Sequence, residues 1–560
     1  MKESALARLR RSLRDPWILF AAICMLISVG LIIAPQLSIF ISSVRTPEGN
    51  FSLENYSTFF TSYRYHIAFA NSLKVTVLTT LFASLVAVPL AWLLARYEFK
   101  GRNVVITLIT MATASPPFLG AYAWTILLGR YGVFNKVVKA ISGIQLTGAF
   151  HGGGAVIWVI TWMVFPLIFL MSFDSFSDED VFHKEAALSL GATPWKSFFH
   201  VELPLALPGI LTGMLMAALA AFADFGTPAV IGGEFPLLPT AVYNEFVSEV
   251  GGNMGMASTV GIVMVFMSTI MLYIQRGVLA KKTYATVSSK HYVLEKPKHG
   301  RKILIRVYIA LVLIMSFLPH ITLCIVSFME WKYGALIGNF TLKNYAKLFS
   351  QQLSPIGMTY ALSLGATVLT FIFGVGIAYL IVRKRYKFIS SFINSIIMVP
   401  YVIPGTVLAV GFIMIFNKKP LLITGTWLIL VLSYFIRKLP YSVKSAEASL
   451  YSVHRALEEA SMALGARPLK AFTDITFPLI IGGIISGATL SFLQIMTELS
   501  STIILYRPPY VTMPVIIFEN TMSSGADFGI AASMGVILMI SVYVPLVLVN
   551  KFTRMRPGAL

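Results

Sequence analysis

Long apolar runs separated by short polar segments recur from one end of the chain to the other. An α-helix needs about 20 apolar residues to cross the hydrocarbon core of a bilayer. Stretches of that order lie at 17–43, 67–95, 103–128, 154–174, 205–232 and 256–275, then at 303–328, 356–382, 389–416, 421–440, 479–505 and 528–550. Short alternating strands, the mark of a membrane barrel, are absent from the pattern. The sequence therefore predicts an all-α integral membrane protein with about twelve transmembrane helices. The first run follows MKESALARLRRSLRDP, a head too basic, before a run too long, for a cleaved signal peptide. It is expected to stay as a cytoplasmic anchor.

The polar stretch 280–302 divides these runs six and six, and the two sides resemble each other. NYSTFF at Asn55 answers NYAKLF at Asn344, and TVLTTLF at Thr76 answers TVLTFIF at Thr367. Residues 161–228 align with 435–502 without a gap, at a constant offset of 274. An even number of spans gives both copies the same topology, so two six-helix halves related by a pseudo-two-fold axis along the membrane normal are expected. The organisation predicted is a first half at 1–279, a cytoplasmic linker at 280–302 and a second half at 303–560.

Composition agrees, with 57% hydrophobic and 12% charged residues and a mean hydropathy of +0.78. Water is not the main solvent of such a chain. The formal net charge is +20, and most of the 44 Lys and Arg fall in segments placed inside when both termini are cytoplasmic. That is the orientation the positive-inside rule requires. The charges are scattered among short loops, which argues for lipid headgroups as their partner and against a nucleic-acid groove. Cys24 and Cys324 each fall within a span, so neither a disulfide framework nor a metal-site spacing is present.

Two polar inserts break the apolar pattern on the cytoplasmic side. EAALSLGATPWKSFFHVELP runs from Glu185 to Pro204 and EASMALGARPLKAFTDITFP from Glu459 to Pro478, with 9 of 20 positions identical. Each reads as helix, turn, helix. Acidic SDED around Asp178 suits a helix N-terminus. Gly191 can take the left-handed cap that ends the first helix, Thr193 and Pro194 start the second, and Pro204 is expected to close it. Gly465, Pro468 and Pro478 repeat these points, although Arg467 replaces the capping Thr. One such insert could be a plain structural elbow. Two at equivalent positions imply a docking surface for a two-fold symmetric partner.

Glu185-Ala186-Ala187, Gly191 and Leu203-Pro204 resemble the EAA loop of type I ABC-transporter permeases. Glu459-Ala460-Ser461, Gly465 and Phe477-Pro478 form a second copy, with Ser in place of the second Ala. The resemblance implies the type I importer fold, with each loop seated as a coupling helix in one of two copies of an ABC ATPase subunit. It also implies a periplasmic or extracellular substrate-binding protein and a place in the bacterial inner membrane. The fused layout is similar to that of ferric-iron-type importer permeases. The chain itself has no GxxxxGK[ST] loop, and GATPWKS at Gly191 lacks both the second Gly and the spacing. ATP and Mg are therefore expected on the partner ATPase, with no cofactor and no enzymatic site in this chain.

The same offset pairs Asp224 in AAFADFGTPAV with Glu498 in IMTELSSTII. A charge within lipid costs roughly 2.5 kcal/mol or more, so such acids face a cavity, a partner or an interface. Each lies 20 residues beyond its loop's closing proline, about 30 Å of helix towards the outer side. They are candidates for the translocation path, with helix-to-helix bonding or snorkelling as the alternatives. ELSSTIILYRP resembles the ELPATLLLRP segment of ferric-iron permeases, and DFGTP is similar to its first-half counterpart. His320 beside Pro319 reads as a hydrogen-bonded kink. Arg437 and Lys438, before Pro440, read as anchors at the cytoplasmic interface. The 24 Met are scattered through the spans, as packing residues are. No metal site is assigned.

The expected function is thus the permease subunit of a binding-protein-dependent, ATP-driven importer of a small solute, ferric iron first. Thiamine, phosphonates or phosphorylated small molecules are the alternatives within that class. An ion-coupled secondary transporter, with Asp224 or Glu498 as the ion site, and a membrane scaffold are the rivals outside it.

Overall fold

The computed structural model describes residues 16–281 and 294–553, apart from 47, 114–115, 130–131, 144–149, 249–251, 298, 333–334, 385, 387 and 523–526. The chain is mostly helical. In the first repeat lie α1 (Pro16–Ser43), α2 (Tyr63–Arg96), α3 (Arg102–Ala112), α4 (Pro117–Leu128) and α5 (Gly153–Ser177). They are followed by α6 (Val181–Ser189), α7 (Pro194–Ala223), α8 (Leu238–Val247) and α9 (Met254–Lys281). The second repeat has α10 (His299–Ser327), α11 (Leu353–Lys384), the pair α12 (Ile389–Val402) and α13 (Gly405–Phe416), and α14 (Trp427–Ser452). It ends with α15 (Arg455–Ala463), α16 (Pro468–Met496), α17 (Met513–Met522) and α18 (Phe528–Thr553).

Among the described residues nine helices are long and apolar enough to cross a membrane, or ten if the bent pair α12–α13 is one span. The predicted run 103–128 is two helices, α3 and α4. Its counterpart 389–416 is α12 and α13, bent by 113°. A proline marks each break, Pro116 before α4 and Pro404 before α13. A residue preceding proline is pushed out of the helical region, and Ile403 is extended at ψ 124°. The run assigned to 421–440 is α14, which begins at Trp427 and continues to Ser452.

Prolines within the continuous helices are absorbed differently. α1, α7 and α16 each carry a π-helical turn, at Val29–Ile33, Phe198–Glu202 and Phe472–Thr476, just before Ala34-Pro35, Leu203-Pro204 and Phe477-Pro478. The wider turn lets Leu203 N–H reach Phe198 O and Phe477 N–H reach Phe472 O. The proline ring then avoids the carbonyl it would otherwise strike, and the helix runs on. Pro204 and Pro478 therefore do not close a helix, contrary to the sequence reading. A short hairpin, Met329–Lys332 with Ala335–Phe340, was also missed.

In the first repeat α2 packs along α5 and α7, and in the second α11 packs along α14 and α16. The leading helices cross over. Trp17 of α1 lies on Tyr379 of α11 with ring centroids 4.2 Å apart, and Phe20 stacks on Phe373 at 5.7 Å. Conversely, α10 lies against α3 and α4, and its Tyr308 hydroxyl donates to Val86 O at 2.8 Å. Each repeat thus holds the other's first helix. Leu26, Val77, Leu85, Ile314 and Val368 turn outward and are more than half exposed, a surface suited to lipid rather than water.

Candidate functional site: the paired loops and the helices they lead into

Both inserts form the same helix, turn and helix. Asp180 caps α6, its Oδ1 accepting from Phe182 N–H at 3.1 Å. α6 ends at Leu190, and Gly191 turns the chain at φ +85°. Thr193 Oγ1 then accepts from Lys196 N–H at 3.3 Å, with Pro194 opening α7. In the second copy His454 Nδ1 caps α15 through Ala456 N–H at 3.3 Å, and Gly465 turns at φ +94°. Arg467 stands at the cap position without a side-chain bond. A left-handed turn suits glycine because most side chains there carry backbone strain.

Glu185, Ala186 and Gly191 are exposed, as are Glu459, Ala460 and Gly465, while Ala187 and Ser461 are half-buried. Glu459 pairs with Arg455 one turn earlier, Nε to Oε1 3.0 Å. Two residues that drew no attention in the sequence stand out. Leu190 is 89% exposed and Leu464 is 91% exposed, each directly before its turning glycine. They occupy equivalent positions at the 274 offset, which is the signal that could have found them. An isolated exposed leucine is unremarkable, but a matched pair at two loop tips is an apolar knob presented twice. Trp195, Phe199 and Phe182 are also exposed along the first insert and its entry, and Leu457, Leu469 and Met462 along the second.

From each loop the chain passes through the π turn directly into a membrane helix. α7 has 30 residues and α16 has 29, so each is a rod of about 45 Å. The two acids sit where these rods end. Asp224 follows α7 in extended conformation and accepts from Thr227 N–H at 3.3 Å. Glu498 follows α16 and accepts from Ser501 N–H at 3.2 Å. Just beyond, a Cβ added at Gly226 would lie 3.6 Å from Leu499 Cδ2, so the far ends of the rods meet.

The two acids are otherwise unlike. Glu498 is ion-paired to Arg437 and, at 3.2 Å, to Lys438 Nζ. Among the described residues no cation pairs with Asp224. The interface-anchor reading of Arg437 and Lys438 is corrected here. Lys438 is 7% exposed, and both cations sit mid-way along α14, ten residues or more from its Trp427 start. His320 Nδ1 lies 3.1 Å from Ser316 O, between the rings of Phe317 and Tyr543. Among the described residues no three His, Cys, Asp or Glu gather as metal ligands.

A third feature escaped the sequence reading. Arg96, at the end of α2, is 1% exposed, and Arg383, at the end of α11, reaches the same elbow in the second repeat. Their side chains converge on the segments flanking the two loops. The repeated words AWLLAR and AYLIVR, an aromatic residue four positions before each Arg, were the available signal.

An apolar helical bundle with two matched helix-turn-helix loops, each continuous with a long apolar helix, defines a duplicated multi-pass membrane component. The chain belongs to the family described as "Binding-protein-dependent transport system inner membrane component", which it matches twice, at residues 87–283 and 370–554. It is similar to the ferric transport system permease protein FbpB of Actinobacillus pleuropneumoniae, 28% identical over 83% of this chain and 67% of that one. A putative ferric transport system permease protein FbpB 1 of Haemophilus influenzae is 28% identical over 90% of this chain and 80% of its own length. The molybdenum transport system permease protein ModB of Escherichia coli is 33% identical over 33% of this chain and 81% of its own. The chain is therefore a multi-pass membrane permease with two fused repeats.

Proposed function

We propose that this permease carries ferric iron across the bacterial inner membrane, driven by two copies of an ABC ATPase seated on the loops at 185–204 and 459–478. The layout is twelve crossings in two pseudo-two-fold-related halves, with both termini cytoplasmic. A substrate-binding protein delivers the ion at the outer face, and ATP with Mg is held by the ATPase. The reading is supported above all by the matched tips, where Leu190 and Leu464, nine-tenths exposed, stand beside turning glycines at equivalent positions. Ferric iron is preferred over molybdate because the relatives named for ferric transport run along most of this chain, and the molybdenum relative along a third of it.

The chemistry is mechanical. Closure of the ATPase pair draws the loops together, and each loop is the near end of a continuous rod. Its motion therefore reaches the junction where Gly226 meets Leu499. Nucleotide and loaded binding protein need only favour different arrangements of that junction for transport to be directional. Asp224 and Glu498 lie beside the junction, Asp224 as a path acid and Glu498 as part of the ion-paired wall.

The test is purification of the tagged chain under gentle extraction, followed by iron uptake in vesicles with its binding protein. An ATPase should accompany the chain, and Gly191→Asp or Gly465→Asp should lose it while the chain stays folded. Ferric uptake should require both ATP and the binding protein. Uptake that persists on an ion gradient with no ATPase would overturn the reading. ATP-driven uptake of another solute would overturn only the substrate.

A further inference from the structure

The buried guanidinium of Arg96 grips three segments at once. Nη1 donates to Phe176 O at 2.7 Å, at the end of α5. Nη2 donates to the Glu179 carboxyl, in the link entering α6. Nε donates to Glu202 Oε2 at 2.9 Å, in the π turn that leads from the loop into the α7 membrane rod. Trp92 Nε1 donates to that same oxygen at 3.2 Å. The first coupling loop is thereby tied at its entry and at its exit to one side chain on the end of α2.

The second repeat builds the device from partly different residues. Arg383 Nη2 donates to Leu450 O at 3.2 Å and to Val453 O at 2.7 Å. Its Nε lies 3.8 Å from Glu458, which is buried in the first turn of α15. Glu458 also receives Tyr379 OH and, at 3.1 Å, Thr476 Oγ1. By the 274 offset Leu450 answers Phe176, Val453 answers Glu179 and Thr476 answers Glu202. Arg383 and Tyr379 answer Arg96 and Trp92 with a shared offset of 287. Two acids, Glu179 and Glu202, flank the first coupling helix, whereas a single acid, Glu458, lies within the second.

Burying such a cation is costly, and an arginine at a helix end beside the headgroups could instead snorkel into water. Both repeats retain the burial although the anionic partner has moved. Local helix stability needs neither arginine, since α6 and α15 have their own caps at Asp180 and His454. What both arrangements share is a rigid tie between the coupling segment and the second helix of the same repeat.

We propose that Arg96 and Arg383 are positioning residues which make each coupling helix move as one body with the end of α2 or α11. A displacement of the loops then enters the membrane through two helices per repeat, α2 with α7 and α11 with α16. Without the tie, the loop flexes and the displacement is dissipated there. This rests on the reading of the loops as ATPase docking sites.

The test uses the full chain with its ATPase and binding protein in proteoliposomes, measuring ATP hydrolysis and ferric uptake together. Arg96→Gln and Arg383→Gln should keep the ATPase bound and hydrolysing, while solute imported per ATP falls about tenfold. Arg96→Lys and Arg383→Lys should fall between, because an ammonium keeps the charge but not the fork of donors. Should a glutamine variant fail to fold, Thr476→Val and Tyr379→Phe remove hydrogen bonds to Glu458 and leave its arginine in place. Their ratio should drop in the same direction, by less. Uptake and hydrolysis falling in equal proportion, or an unchanged ratio, would overturn the proposal. A wild-type chain that retains no ATPase would overturn the docking reading as well, and is told apart by needing no variant.

Discussion

Glu498 and Asp224 occupy equivalent positions, yet they should respond oppositely to losing their charge. Glu498→Gln leaves Arg437 and Lys438 as neighbouring buried cations without an anion. Breaking a buried ion pair from one side costs about 3–5 kcal/mol. Asp224→Asn strands no cation and keeps an oxygen for the Thr227 N–H. The expected outcome is a monodisperse Asp224→Asn protein in detergent, with transport altered, and a Glu498→Gln protein that unfolds at markedly lower temperature. Equal melting temperatures would show that the triad is not a structural bond. Nothing in the sequence indicated this difference. The repeat aligned the acids, but the cations come from α14, whose equivalents at the same offset are Met163 and Val164. Pairing across helices is not written in either segment alone.

Glu179, also buried, carries a pH signature of the opposite kind. Burial, reinforced by nearby Glu202 and opposed by Arg96, pushes its carboxyl from the usual 4.5 up to about 8. Between those values the folded chain holds a proton that the unfolded chain has released, so this group's contribution to stability falls as pH rises from 4.5 to about 8. Glu179→Gln removes the titration and keeps the shape. The drop in melting temperature from pH 6 to pH 9 should therefore be smaller in the variant than in the wild type. Parallel drops would mean that Glu179 is already ionised at pH 6.

At the scale of elements, the loops separate turn geometry from surface contact. A side chain added at Gly191 or Gly465 meets no atom within 4 Å, so the chain's own packing leaves room for one there. The backbone at φ +85° and +94° still resists most residues, although asparagine enters this region readily. Gly191→Asn and Gly465→Asn should therefore keep the turn and lose the ATPase in co-purification, if another surface comes close at that point. Retained binding would mean that the glycines serve the turn alone. The caps at Asp180 and Thr193 and both turning glycines were legible in the sequence because capping is local, settled by residues two or three apart. Pro204 and Pro478 were misread for a related reason. A proline reads as a stop in sequence, but here a π turn at Phe198–Glu202 or Phe472–Thr476 precedes it and the helix runs on. Glu202 within the first of these turns is bonded to the distant Arg96, a contact no local pattern displays.

For the whole molecule, the question is what joins the repeats beyond the polar linker. The crossover of leading helices supplies an answer. Trp17, Phe20 and Ile39 of α1 sit among second-repeat residues, and Tyr308 of α10 bonds into the first repeat. The duplication was plain in the sequence, but not this exchange, because an offset between two copies is the same whether each keeps or swaps its first helix. Severing the chain within the linker and co-expressing residues 1–290 with 291–560 should give an assembled pair, since each fragment lacks a surface that the other fills. Either fragment alone should fail to accumulate. Gly411 tests the cause. A Cβ there would stand 2.8 Å from Ile39 Cδ1 and 3.0 Å from Pro35 O, so Gly411→Leu must push α1 off α13. In the intact chain the linker keeps the repeats together at high effective concentration. In the severed pair that help is gone, and the same substitution should abolish co-purification. If the severed pair tolerates Gly411→Leu, α1 is a passenger on the second repeat, and the repeats hold together through their other contacts, α10 against α3 and α4 and the junction of Gly226 and Leu499.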